Sequence, residues 1–173
     1  DVGAQPDLAN ALGKLVGAAA DDLSGYDVAS VGDVNDDGFG DLVVSAPDHD
    51  PTKSLEGSGA TYLVLGPVEG TVELTDAAAV ITGDELLEWS GASLCGVGDG
   101  DFLVGSIYRS TAGGYINGGV ARFSGDLRGT VSFSAADQFM VGPETESLFG
   151  WACTATPGGF AIGAPAVSLV AVF

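Results

Sequence analysis

The feature that most constrains this chain is an internal repeat. TVELTDAAAVITG (71–83) lies without gaps on TVSFSAADQFMVG (130–142), and a weaker copy, PDLANALGKLVG, ends at Gly17. Between the closing glycines Gly17, Gly83 and Gly142, other landmarks recur in the same order. SGYDVASVGDVNDDGFGDLVVSAP, SGASLCGVGDGDFLVGS and FGWACTATPGGFAIGAP each open on a residue–Gly step and finish in a short apolar run. GATYLVLG and GGVARFSG follow the first two. A period of this length means that one supersecondary unit is stacked several times.

Each unit reads as four short strands. In the first they fall near 27–31, 42–45, 61–65 and 79–82, and in the second near 93–97, 102–105, 120–123 and 139–141. Glycine outnumbers proline 28 to 7, and Val, Thr, Phe and Tyr are spread through short runs, a composition suited to strands joined by tight turns. The expected fold is all-β, a β-propeller of four-stranded antiparallel blades, about three of them in this chain. A sandwich would leave the repeat unexplained. The expected division is 1–17 as the fourth strand of a clasped blade, 18–83 as a blade, 84–142 as a second blade, and 143–173 as a third that lacks its own fourth strand. The lone strand near 14–16 is available to complete that last blade. Three blades fall below the usual four to eight. The expected partner is therefore a second copy closing a six-bladed ring, or the remaining blades of a longer propeller.

The most specific chemistry lies in the first unit. Asp33, Asn35, Asp37, Phe39 and Asp41 stand at alternate positions, so that four side-chain oxygens and the Phe39 carbonyl can wrap a hard cation. Gly38 permits the turn between them. Neither His nor Cys occurs in the loop, which offers zinc or copper nothing it prefers. An EF-hand would need a bidentate Glu at the twelfth position, which here is Val44 inside an apolar run. A strand–loop–strand Ca2+ site is the better reading, one per chain and structural in role. The matching links in the other units, CGVGDGDFLVG and CTATPGGFAIG, are shorter, and Asp99 with Asp101 are too few ligands.

These motifs resemble FG-GAP repeats. Phe149-Gly150 and Gly163-Ala164-Pro165 reproduce both name-giving steps, Ser45-Ala46-Pro47 is a variant of the second, and the DxNxDGxxD loop is the most specific part. The resemblance implies an integrin-like propeller with calcium in loops on one face and ligand contacts on the other. The degenerate second and third loops point away from an animal integrin and toward a bacterial or otherwise diverged secreted relative.

The formal charge of −19 excludes nucleic acid and anionic membrane surfaces as partners, and the longest apolar stretch is too short to span a bilayer. Cys95 and Cys153 stand at matching places, each ten residues before Gly105 or Gly163. A disulfide between adjacent inner strands and two buried free thiols both remain open. His49, between two aspartates, reads as a solvated loop residue, and Trp89 and Trp151 read as packing aromatics rather than sugar platforms. No spacing singles out a nucleophile or an acid–base pair. The expected function is a non-catalytic, extracellular or cell-surface module that binds a protein or glycan. The alternatives are the scaffold portion of a larger secreted enzyme and a self-assembling half-propeller.

Overall fold

The computed structural model describes residues 10–111 and 114–173. The beginning of the 1–17 segment, residues 1–9, lies outside the described residues. The chain forms three stacked β-sheet blades. Strand β1 (Gly13–Val16) precedes the first blade, which consists of β2 (Val28–Gly32), β3 (Asp41–Ala46), β4 (Ala60–Val64) and, after the short strand β5 (Gly70–Glu73), β6 (Ala79–Thr82). The second blade is β7 (Ser90–Gly98), β8 (Asp101–Ser106), β9 (Gly119–Phe123) and, after β10 (Gly129–Ser132), β11 (Gln138–Val141). The third is β12 (Ala152–Thr156), β13 (Gly159–Ala164) and β14 (Leu169–Val172). Within each blade the strands pair antiparallel in chain order.

Central strands such as β3 (DLVVSA) and β4 (ATYLV) are almost continuously buried because each face meets a different layer. Successive side chains point to opposite faces, and the three apolar clusters follow that alternation. Val43, Leu63 and Ile81 of the first blade meet Leu94, Phe102, Val104 and Phe123 of the second. The next residues along, Leu103 and Val120, point the other way and meet Phe160 and Ile162 of the third blade. The free flank of the first blade holds Val44, Tyr62, Val64 and Leu74, partly covered by Leu15 of β1.

Two strands exceed the expected four per unit. β10 leaves the second blade and pairs in parallel with β6 of the first, and β5 pairs in parallel with β1. The registers Ala79↔Gly129 and Gly13↔Gly70 make β1 the counterpart of β6, a blade's outer strand. β1 lies on β5, whereas the sheet of the third blade is β12-β13-β14. Each crossing strand ends in a three-residue 3-10 turn whose first residue, Leu74 or Phe133, is buried.

The units also repeat in backbone detail. Asp21 and Leu23, Leu87 and Trp89, and Glu146 and Leu148 all have positive φ, two per unit at the same places ahead of Gly25, Gly91 and Gly150. Gly59 and Gly118, which lead into β4 and β9, have positive φ and leave no room for a Cβ. One would stand 2.2 Å from the Ser90 carbonyl oxygen and the other 2.3 Å from that of Phe149, each in the following blade.

The matching placement of the cysteines needs correction. Ser93 pairs with Gly105 and Ala152 with Gly163, so Cys95 lies two residues along its strand and Cys153 only one. A register shift between Gly96 and Gly98 uses up one residue of β7, which gives equal sequence spacing at unequal positions.

Candidate metal centre

The loop between β2 and β3 is held by its own carboxylates. Asp33 accepts hydrogen bonds from the backbone N–H of Asp37 (3.1 Å, at Oδ1) and of Gly38 (2.8 Å, at Oδ2). Asn35 Oδ1 accepts from the same Asp37 N–H at 3.3 Å, and Asn35 Nδ2 donates to Asp37 Oδ2 at 2.8 Å. Asp37 Oδ1 accepts from the Phe39 N–H at 2.9 Å. Three of the five expected ligand residues are thus drawn together around the Asp37 amide. Asp36 and Gly38, both with positive φ, turn the chain between them.

Asp41 stands apart. It opens β3, is 1% exposed, and accepts from the Val34 N–H with one oxygen and the Gly66 N–H with the other, each at 2.7 Å. It therefore pins the base of the loop to the β4–β5 link, and only lone pairs beyond those two bonds remain for a cation. The donor set is all oxygen, dense in carboxylate and preshaped by backbone hydrogen bonds, which fits a hard divalent cation. In the second blade the equivalent link is a turn at Asp99 and Gly100, and Asp101 is engaged by Arg122 Nε at 2.9 Å.

Among the described residues, the trio of acidic groups whose ligand atoms lie within 4.8 Å of one another is not in this loop. It is Asp84, Glu85 and Glu88, on the opposite face. The Arg109 guanidinium fills it, reaching Asp84 at 2.6 Å, Glu85 at 3.2 Å and Glu88, and also Ser134 Oγ at 3.0 Å. Burial raises the Glu88 carboxyl to about 7 against the pull of Arg109. Asp84 also meets a burial penalty, but bonds from Ser132, Ser134 and Arg109 outweigh it and hold Asp84 at about 2. His49 occupies the place of Arg109 in the first blade, with Nδ1 2.7 Å from buried Asp22 in the β1–β2 link, so it is tied to a neighbouring loop rather than free in solvent. Sequence reading missed this network, although acid aligns with acid and base with base in the two units.

The opposite face also carries a groove of about 500 Å³ lined by Glu85, Leu87, Trp89, Tyr108, Tyr115 and Ile116. Trp89 sits between Tyr26 and Tyr108, with ring centroids 5.8 and 5.7 Å away, and donates from Nε1 to Asp48 at 3.0 Å. It packs, as expected, but at the rim of an open surface. Trp151 is half exposed.

No helix among the described residues is long and apolar enough to cross a membrane. No curated protein matches the chain. Residues 24–64, which span β2, the acidic loop, β3 and β4, match the family model of the FG-GAP repeat. Repeats of this kind build integrin-like propellers, which are typically extracellular, non-catalytic binding modules. With three blades built on one plan and the FG-GAP repeat matched over the first of them, the chain has an all-β, propeller-type blade architecture.

Proposed function

We propose that this chain is a calcium-stabilised, non-catalytic binding module of an extracellular or cell-surface assembly. The observation that carries the reading is the drawing together of Asp33, Asn35 and Asp37 above a base pinned by Asp41. Asp33, Asn35, Asp37, the Phe39 carbonyl and the remaining lone pairs of Asp41 would hold one Ca2+. The ion would neutralise a carboxylate-rich loop and fix the β2–β3 connection. The groove at Trp89 and Tyr108 supports a protein or glycan ligand on the other face, because half-exposed aromatic rings beside polar groups give contact area at low entropic cost. The partner that extends the ring is a second copy or further blades.

Thermal unfolding with calcium added or chelated tests the site. A bound ion stabilises the folded state by about 2.7 kcal/mol at a hundred times its dissociation constant. The midpoint should therefore rise by several degrees, and Asp33→Ala or Asp37→Ala should abolish the rise. A wild-type midpoint indifferent to calcium, or variants that respond undiminished, would overturn the reading.

A further inference from the structure

We propose that Cys95 and Cys153 form a reversible disulfide that clips the inner strands of the second and third blades together. The argument rests on register. Cys95 lies directly opposite Leu103 on β8, and Cys153 directly opposite Ile162 on β13. Residues opposite one another on antiparallel neighbours project to the same face. Leu103 and Ile162 both lie in the layer between these two blades, so both thiols point into that layer from its two sides. Had the cysteines been at equivalent positions, they would have faced the same way around the ring and could not have met. The bulge in β7 shifts one of them by a single residue and turns the pair face to face.

The two inner strands are held close nearby. Ser93 Oγ on β7 donates to the Gly150 carbonyl at 2.8 Å. Cys95 is buried, Cys153 is partly exposed, and both thiols are free. The neighbouring Cys95 thiol lowers the Cys153 thiol against the opposing effect of burial, so Cys153 is the readier thiolate. The neighbouring Cys153 thiol, with burial, raises Cys95. That asymmetry gives the order of events with a small external disulfide such as oxidised glutathione. The Cys153 thiolate attacks one glutathione sulfur, expels glutathione thiolate, and leaves a mixed disulfide. Cys95 then loses its proton and attacks the Cys153 sulfur, releasing the second glutathione. Two protein thiols are oxidised and one glutathione disulfide is reduced to two thiols. The link closes a long loop, the case in which a cross-link restricts the unfolded chain most.

The proposal is independent of the calcium reading and is tested on the full chain in a glutathione redox series. The expected result is loss of both titratable thiols together, an intact mass lower by two hydrogens with no retained glutathione, and a monomeric species on non-reducing electrophoresis. The oxidised form should melt ~5–10 °C above the reduced form. Cys153→Ser should lose the oxidation-dependent rise, and iodoacetamide-alkylated wild-type protein serves the same purpose if that variant folds poorly. Two glutathione adducts, a cross-linked dimer, or two thiols that stay free in oxidised glutathione would each overturn the proposal.

Discussion

The least obvious single residue is Glu88, a fully buried carboxyl that shares one guanidinium with Asp84. Burial lifts Glu88 from an ordinary 4.5 to about 7. A carboxyl raised in the folded state binds its proton more tightly there than in the unfolded chain. Its contribution is fully present below about 4.5 and is lost as pH rises through about 7. Asp84, held at about 2, behaves oppositely and loses its contribution only in strong acid. Replacing Glu88 with Gln keeps an acceptor for the Asp84 N–H, now 2.6 Å from Glu88 Oε1, and removes the titration. Relative to Glu88→Gln, the wild type should lose about 2 kcal/mol of stability between pH 5 and pH 7.5, measured by urea unfolding. Parallel stability profiles for the two proteins across that range would refute the assignment.

At the scale of elements, the crossing strands decide how blades are joined. β10 belongs to the second blade by sequence and to the first by hydrogen bonding, and the turn after it drives Phe133 into the core. Its ring meets Phe123 at 6.2 Å and Phe139 at 5.8 Å, with the Arg109 guanidinium 5.2 Å from its centroid. Phe133→Ala should cost about 3–5 kcal/mol and lower the slope of the urea transition as the first two blades uncouple. A loss below about 1 kcal/mol would show that the strand is only an appendage. The repeat TVELTDAAAVITG was legible, but only its end reads as a strand. The four residues of β5 or β10 are mostly exposed, carry no alternation, and find their partner in another unit. The acidic loop was legible because its ligands are local. Arg109 and Glu88 are 21 residues apart with no motif between them, and the bulge that faces the cysteines toward each other leaves no compositional mark.

At the scale of the whole molecule, the third blade presents an exposed apolar flank. Val170 and Val172 pair with Gly163 and Ala161, so they project away from the layer shared with the second blade and are 66% and 70% exposed. Every other blade-to-blade layer in the chain is a packed apolar one. A second copy supplying the neighbouring blade would cover this flank and extend the ring. Charge opposes that step, because each copy carries −19 and the repulsion is relieved only as salt shortens its range to ~10 Å at 0.1 M. Association through an apolar flank between two acidic copies should therefore strengthen with ionic strength and with calcium, the reverse of an interface built on opposite charges. Sedimentation velocity of the chain across a salt series with calcium present should show a dimer growing as salt rises, and Val170→Asp should abolish it. A monomer at every salt and calcium concentration would refute this association.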